Sequence, residues 1–189
     1  MLIAFSGEKG AGKDTCAVIL DFIAKSEGMQ TYTVGFADAM KSILGMIFRV
    51  NPKIFYDNKD TPNESLKGKT PRGVLISFAK WVRETKDDAW VSHVQVALES
   101  LGGPDKLNMV TDLRHVIEYE ALRGKGAILV RVIRPGTENE DDISETALDD
   151  HEFDYVVYNN GTILDLTKTL QKLWQDIKDK EQEHALSFS

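Results

Sequence analysis

A glycine-rich loop near the amino terminus constrains the fold more than any other feature of this sequence. Residues 7–15 read GEKGAGKDT, in which Gly7, Gly12 and Lys13 satisfy the pattern G-x-x-x-x-G-K. The apolar run LIAFS at 2–6 predicts a buried strand before the loop, and the residues after the lysine carry apolar side chains at helical spacing. A strand, a glycine loop with a lysine and a helix in this order indicate a phosphate-binding loop.

The chemistry of such a loop depends on its backbone. Glycines allow the N–H groups of Gly10, Ala11 and Gly12 to turn inward around phosphate oxygens. The predicted helix adds the positive end of its dipole, and Lys13 reaches toward the β- and γ-phosphates of a nucleotide. The alternative is an ordinary glycine-rich turn, but strand, spacing, lysine and helix together favour the phosphate site.

Two carboxylates are candidate metal ligands. Asp14 occupies the position that usually supplies a hydroxyl to Mg²⁺, and a carboxylate can bind that ion directly or through water. Its alternative role is that of an acidic residue favoured by the start of a helix. Asp112 ends a predicted strand, where a second acidic group near Mg²⁺ is usual, or it caps the predicted helix at 114–123. Thr15 is left to donate its hydroxyl to a phosphate.

Predicted strands and helices alternate along the chain. The strands are expected at 2–6, 31–37, 106–112, 127–135 and from 153 onward, and the closing helix is expected to fray beyond about 180. This alternation predicts an α/β fold, with a parallel five-stranded sheet and helices on both faces, that is, a three-layer sandwich. Ligands of such sheets bind at the carboxyl ends of the strands.

Composition and charge exclude several classes of protein. The net charge of −7 argues against a protein that coats nucleic acid, because phosphate neutralisation needs a basic face. Cys16 is the only cysteine, which rules out an internal disulfide framework or a cysteine-based zinc site. No apolar run approaches a membrane span and no leader is evident, so we expect a cytoplasmic enzyme without a membrane partner.

Six segments in this order resemble the phage-type deoxynucleoside monophosphate kinases, within the P-loop nucleoside and nucleotide kinases. They are the loop GEKGAGKDT, FADAMK at 36–41, TPRGVLISFAKWVRETKDDAW at 70–90, VTDLRHVIEYEAL at 110–122, VIRPG…DDISETAL at 132–148 and FDYVVYNNGTILDL at 153–166. The loop alone is shared by many enzymes, whereas the ordered set is much more specific. The resemblance extends to about residue 178.

The resemblance implies transfer of the ATP γ-phosphate to a deoxynucleoside monophosphate, with Mg²⁺. It implies ATP contacts from Gly10, Ala11, Gly12, Lys13, Asp14, Thr15, Asn160 and Gly161, the last two beside the adenine. It implies acceptor contacts from Lys41, Arg72, Trp81, Arg83, Asp112, Arg114 and Glu118. The implied catalytic cations are Lys13 and either Arg131 or Arg134, and the implied metal ligands are Asp14 and Asp112.

The resemblance also implies how one P-loop kinase domain, 1–189, is organised. The core would comprise about 1–48 and 106–178, a substrate-binding helical region about 49–105, and a lid about 135–152. A homodimer is expected on the resemblance alone, in the host cytoplasm if the gene is of phage origin.

Three other functions compete with this one. A kinase for another small acceptor, such as a dephospho-coenzyme A kinase-like enzyme, would share the loop. A GTPase switch would require Asn-Lys-x-Asp and Asp-x-x-Gly, where this chain has NNGT and DLRH, so it ranks low. A non-catalytic nucleotide-binding module is the third.

Arg114 and Glu118 could also form a surface ion pair as neighbours on one helix face.

Overall fold

A computed structural model describes residues 1–137 and 147–186, apart from the side chains of 184 and 185. The strands are β1 (Leu2–Ser6), β2 (Gln30–Val34), β3 (Lys106–Leu113), β4 (Ile128–Ile133) and β5 (Tyr155–Tyr158). The helices are α1 (Lys13–Ser26), α2 (Asp38–Phe48), α3 (Pro71–Thr85), α4 (Ala89–Ala97), α5 (Val116–Gly124) and α6 (Ile163–Leu186). Of the lid expected at about 135–152, residues 138–146, which include Ser144 and Glu145, lie outside the described residues.

The five strands form one sheet in the order β2-β3-β1-β4-β5. Strand β1 pairs in parallel with β3 and β4, and β4 pairs in parallel with β5, which confirms the predicted α/β class and five-stranded sheet. Strands β2 and β3, the next two along the chain, lie on one side of β1, and β4 and β5 lie on the other. The loop after β1 therefore leaves the sheet where the strand order reverses, which is where such sheets bind ligands.

Both faces of the central strand are buried, as expected for a parallel sheet between helical layers. Ile3 and Phe5 face a core that includes Leu20 of α1 and Trp174 of α6. Ala4, which points to the opposite face of the sheet, is also fully buried. Helices α1 and α6 pack against each other, and the indole of Trp174 donates a 3.0 Å hydrogen bond to Glu27. This packing fixes the helix that follows the glycine loop.

The described chain separates into two compact units. One comprises Met1–Thr33 and Leu98–Ser189 and carries the phosphate-binding loop, and the other is Val34–Ala97. The second unit contains α2, α3, α4 and two short 3₁₀ helices, Pro52–Phe55 and Glu64–Leu66. Its boundary precedes α2, so α2 lies in this second unit. The expected division into a core, a substrate-binding helical region and a lid stays a prediction.

Helix α3 begins where its sequence predicts. The Thr70 hydroxyl accepts a 3.1 Å hydrogen bond from the Gly73 N–H, and Pro71 takes the first helical position. Proline is suited to that position because its missing N–H would have no partner within the helix. A capping side chain and a proline therefore define this helix start locally.

Several predicted boundaries and one predicted face are wrong. Strand β2 ends at Val34 rather than 37, because Asp38 accepts a 2.7 Å hydrogen bond from the Gly35 N–H and turns the chain into α2. Ile47 follows Met40 and Leu44 at helical spacing, which predicts that it shares their buried face of α2, but it is 65% exposed. The last helix continues to Leu186 instead of fraying near 180, since its final residues are mostly strong helix formers. Within residues 1–137 and 147–186, no helix is long and apolar enough to cross a membrane.

Candidate functional site: a glycine loop at the centre of the sheet

The loop between β1 and α1 has a backbone that only glycine adopts readily. Gly7, Gly10 and Gly12 have φ of 143°, 83° and 103°. A β-carbon on Gly7 would lie 2.2 Å from the Val132 carbonyl oxygen, so the loop also passes too close to β4 for any side chain there. A 3.1 Å hydrogen bond from the Ala11 N–H to the Glu8 carbonyl closes the turn. The glycines are thus required by the geometry of the loop.

Lys13 is the buried cation of this loop. Its side chain is only 7% exposed, and its ammonium donates to the carbonyls of Gly7 at 2.5 Å and Glu8 at 2.7 Å. These carbonyls orient the ammonium over the loop but carry no net charge, so these two contacts leave its positive charge available to an anion. Lys13 is also the first residue of α1, where free N–H groups and the helix dipole favour anions.

Cys16 lies near Lys13, but its thiol is not reactive. Burial raises the pKa of the thiol to about 12, an effect that the nearby Lys13 ammonium only partly opposes. The thiol therefore stays protonated at neutral pH and is a poor nucleophile. Its place is in the core beneath the loop.

The turn after β5 holds the glycine loop from the other side. The Asn159 side-chain amide donates a 2.8 Å hydrogen bond to the Ala11 carbonyl, while its own N–H bonds to the Ile133 carbonyl at 2.8 Å. Asn160 and Gly161, the residues predicted for the adenine, are exposed. The sequence interpretation missed Asn159, although it is the first polar residue after β5 and strand-end polar residues are where such sheets place ligand contacts.

The two arginines proposed as catalytic cations have different surroundings. Arg131 lies within β4, donates a 3.1 Å hydrogen bond to the Ser6 hydroxyl and is ion-paired with Asp149. Its guanidinium also lies 5.6 Å from the centre of the Phe153 ring. Arg134 follows the strand and is exposed. Arg131 is therefore already engaged in linking β1, β4 and the segment before β5.

The expected metal ligands are two separate carboxylates. Asp14 is exposed in the first turn of α1, next to exposed Thr15, and Asp112 is half-buried near the end of β3. Over the described ranges, no three His, Cys, Asp or Glu residues are grouped as a metal site. Mg²⁺ is commonly bound by one or two carboxylates together with phosphates and water. This donor set fits an ion that arrives with a nucleotide.

Glu118 has a structural role that the sequence interpretation did not assign. Its side chain is 4% exposed and accepts hydrogen bonds from the N–H groups of Arg114 at 2.9 Å and His115 at 3.1 Å. It therefore caps the start of α5, a role that had been the alternative for Asp112. The expectation that Arg114 and Glu118 share one helix face is wrong, because α5 begins only at Val116.

In the second unit, Lys41 is held by a carboxylate and an aromatic ring. Its ammonium donates to Asp38 at 3.1 Å and lies 3.9 Å from the centre of the Tyr56 ring, and the Tyr56 hydroxyl donates to the same carboxylate at 3.0 Å. The Lys41 side chain is 16% exposed. Lysine, aspartate and tyrosine thus form one polar cluster.

Three further predicted acceptor residues lie on α3. Arg72 makes two hydrogen bonds to Asp60, one of them 3.2 Å long. Arg83 is half-buried in the last turn, and Trp81 is 62% exposed with its ring stacked 6.2 Å from that of Phe78. The structure thus places all three on the predicted helix and shows that Arg72 already has an acidic partner.

The parallel sheet has the order 2-3-1-4-5, a glycine loop follows its central strand, and a lysine begins the next helix. Together these features define a P-loop fold. A sequence model of the deoxynucleotide monophosphate kinase family matches residues 81–170. The matched segment includes Arg83, Asp112, Arg131 and Asn159, and it begins after the glycine loop.

Two relatives in sequence carry the same description. The deoxynucleotide monophosphate kinase of Escherichia phage RB69 is 35% identical over 77 residues, which cover 40% of this chain and 32% of the relative. The chain thus matches about a third of that protein. A protein of Acanthamoeba polyphaga mimivirus, provisionally named a deoxynucleotide monophosphate kinase, is 28% identical over 183 residues, covering 86% of this chain and 90% of the relative.

Among solved structures, the APS kinase CysC of Mycobacterium tuberculosis is similar at 14% identity. The alignment of one of its structures covers 92% of this chain and 96% of the other, with a TM-score of 0.46. A second structure of that enzyme, in complex with AMPPNP and APS, has a TM-score of 0.45 at the same coverage.

Proposed function

We propose that the protein is an ATP-dependent deoxynucleoside monophosphate kinase that converts a dNMP and ATP into a dNDP and ADP, for DNA precursor synthesis. The observation that carries the proposal is the buried Lys13 ammonium, oriented by two loop carbonyls at the start of α1. The family match supports the choice of acceptor. Phosphoryl transfer of this kind depends on positioning and charge stabilisation rather than on covalent help from the protein.

On the donor side, the N–H groups of Gly10 and Gly12 would surround the phosphates of ATP, and that of Ala11 would exchange its bond to the Glu8 carbonyl for one to a phosphate. Lys13 would turn from its carbonyl partners toward the β- and γ-phosphates, and Thr15 would donate its hydroxyl. Asn160 and Gly161, exposed in the turn after β5, would border the adenine. The charge that develops on the transferring group would thus meet the N–H donors of the loop and, once Lys13 has turned, its ammonium.

Asp14 and Asp112 would hold Mg²⁺, and the ion, when bound, would neutralise part of the phosphate charge. Replacing Asp14 with Ser restores the hydroxyl that usually occupies this position. We expect Asp14→Ser to shift the Mg²⁺ concentration for half-maximal activity by about threefold or more, because a carboxylate and a hydroxyl differ in charge at a hard-cation site. An unaltered Mg²⁺ dependence in that variant would exclude Asp14 from the metal site.

On the acceptor side, we assign the phosphate and base of the dNMP to a set of mostly cationic residues. These are Lys41, Arg72, Trp81, Arg83, Asp112, Arg114 and Glu118. Arginine suits this role because its planar fork binds phosphate oxygens in pairs. For Arg72 the ion pair with Asp60 would exchange for substrate, whereas Glu118 would act through the backbone that it caps.

Arg131 or Arg134 would approach the transferring phosphoryl group together with the lid, which is expected at about 135–152. Closure would exclude water, which otherwise competes with the acceptor for the γ-phosphate. A homodimer remains part of the proposal, and sedimentation of the purified protein measures it directly.

The test is an acceptor panel. Formation of ADP is followed with each of the four deoxynucleoside monophosphates, and with dephospho-coenzyme A and buffer as comparison acceptors. We expect turnover with at least one dNMP and none above buffer with dephospho-coenzyme A. ATP binding without turnover on any acceptor would contradict the kinase and favour a nucleotide-binding module.

A further inference from the structure

We propose that Asn159 is a positioning residue of the nucleotide site, which holds the glycine loop in its phosphate-binding conformation. The inference rests on the proposed function only in that the loop binds a nucleotide. Its basis is the 2.8 Å hydrogen bond from the Asn159 amide to the carbonyl of Ala11, at the centre of the loop. A residue of the last strand's turn thereby fixes a peptide between two glycines.

The peptide that Asn159 holds is the one most in need of support. Ala11 lies between Gly10 and Gly12, both with positive φ, so the loop has flexible joints on each side of it. A carbonyl that is fixed by a hydrogen bond also fixes the plane of its peptide, and hence the direction of the N–H of the next residue. Holding the Ala11 carbonyl therefore also fixes the direction of the Gly12 N–H, immediately before α1.

The amide and Gly12 fit each other sterically. A β-carbon on Gly12 would lie 2.5 Å from the Asn159 side-chain nitrogen, closer than such contacts occur. The glycine is thus required here by the position of Asn159 as well as by its φ of 103°. The two residues form a matched pair across the site.

Asn159 is itself held firmly. Its N–H bonds to the Ile133 carbonyl at 2.8 Å, which continues the β4–β5 ladder. Three residues later, the Thr162 N–H donates to Asp165 at 3.0 Å, and the two side chains cap the start of α6. Because α6 packs against α1, the turn is fixed at both ends, and the Asn159 amide can act as a rigid clamp on the loop.

The experiment compares Asn159→Asp and Asn159→Ala with the wild type by equilibrium binding of ATP without acceptor. Aspartate keeps the shape of asparagine but replaces the donor with a carboxylate that repels the Ala11 carbonyl. A net hydrogen bond contributes about 0.5–1.5 kcal/mol, and 1.4 kcal/mol is tenfold in affinity. We expect the Kd for ATP to rise about tenfold in Asn159→Asp and about fivefold in Asn159→Ala.

A charge comparator and two further measurements separate positioning from general damage. Gln171→Glu adds the same charge at an exposed position of α6, outside the nucleotide site, while leaving the bond to Ala11 intact, and we expect it to raise the Kd less than about threefold. In both Asn159 variants the KM for the dNMP should stay close to wild type, and the unfolding temperature without nucleotide should fall by only about 2 to 5 °C, as expected for the loss of one hydrogen bond. A residue with a merely structural role would change the KM for the dNMP as well, so a change confined to the Kd for ATP indicates a positioning role.

A double-mutant cycle with Gly12→Ala tests the same contact independently. The strain of alanine at a positive φ is present in both backgrounds and cancels, whereas the clash with the amide exists only when Asn159 is present. We expect Gly12→Ala to weaken ATP binding by a smaller factor in the Asn159→Ala background than in the wild type. If Gly12→Ala weakens ATP binding by the same factor in both backgrounds, Gly12 and the Asn159 amide do not interact, and this part of the proposal is overturned.

The remaining outcomes decide the proposal as follows. An unchanged Kd in both Asn159 variants overturns it, and so does equal weakening of ATP and dNMP together with a lower unfolding temperature. If the wild type binds ATP but phosphorylates no acceptor, the kinase is excluded while the binding comparison still decides the role of Asn159. If the wild type binds no ATP, both proposals fail.

Discussion

The cation of the glycine loop and the cations of the second unit are held in different ways. Lys13 is buried and bound by two neutral carbonyls, whereas Lys41 and Arg72 are bound by the carboxylates of Asp38 and Asp60. Carbonyls orient an ammonium without cancelling its charge, but a carboxylate neutralises its partner. These two carbonyl contacts orient Lys13 without neutralising it, whereas Lys41 and Arg72 must exchange an ion pair before they can bind an anion.

This difference suits two binding steps with different demands. Exchanging a carbonyl contact for a phosphate does not itself break an ion pair, so it costs less than displacing a carboxylate. A cation held by a carboxylate binds only an anion that competes successfully with that carboxylate, which favours a doubly charged phosphate over a singly charged ion. Variants on each side should therefore change different kinetic constants.

The largest effect is expected for Lys13. We predict that Lys13→Met lowers kcat by about 10²- to 10³-fold, since removal of a single donor to transition-state charge has effects of this size. Methionine retains much of the side-chain volume, and the lost hydrogen bonds join residues of one loop, so the unfolding temperature should change little. Steady-state kinetics with ATP and the best dNMP give the result, and near-normal turnover would refute the role of the loop.

The next prediction distinguishes Arg134 from Arg131. Arg134 is exposed, so Arg134→Ala should lower kcat, by up to about 10²-fold, without lowering the unfolding temperature. Arg131→Ala should destabilise the fold, because it leaves the 1%-exposed Ser6 hydroxyl without the guanidinium that bonds to it. The measurement is kcat beside the thermal midpoint for each variant. A loss of turnover confined to Arg131→Ala, at unchanged stability, would assign the catalytic cation to Arg131 instead.

The third prediction tests the exchange of ion pairs on α3. Arg72→Ala should raise the KM for the dNMP about tenfold with little effect on the KM for ATP, because a charge-assisted bond to phosphate contributes about 1.5 kcal/mol. Asp60→Asn is the matched control, since it frees the arginine from its carboxylate, and we expect an unchanged or lower KM for the dNMP. A raised KM in Asp60→Asn would mean that the ion pair positions Arg72 rather than competing with the substrate.

The glycine loop was predictable because all of its determinants are local. Gly7, Gly12 and Lys13 lie within seven residues between an apolar run and a helical pattern, and each has the conformation or position that the motif requires. The start of α3 at Pro71 was predictable for the same reason. The alternation of such local signals was enough for the order of the elements and hence for the parallel sheet.

What the sequence could not show is which side chains pair across the fold. Asn159 bonds to Ala11, 148 residues away in the chain, and only the sheet order brings the two together. Arg131 resembles a phosphate clamp in sequence, but its place within β4 directs it to Ser6 and Asp149. The sequence pattern indicates roughly where a charged side chain lies. The packing of the fold decides which residue that side chain pairs with.

The smallest expected effect concerns the junction between α1 and α6. Lys178 donates to both oxygens of Glu27 at 2.9 Å, and these hydrogen bonds, with that from Trp174, lower the pKa of the Glu27 carboxyl. A carboxyl whose pKa is lowered in the folded state stabilises the fold above its unfolded pKa, near 4.5, and this stabilisation is lost as the pH falls through the folded value. Glu27→Gln should therefore lower the thermal midpoint at pH 7 by about 1 to 2 °C, since the pair is solvent-exposed, and the difference from wild type should vanish in acid.

The matched control is Glu84→Gln, whose partner Lys80 lies 3.8 Å away in an exposed pair on α3. A Glu27→Gln difference that persists unchanged at low pH would show that the carboxylate charge does not contribute to the packing of the two helices.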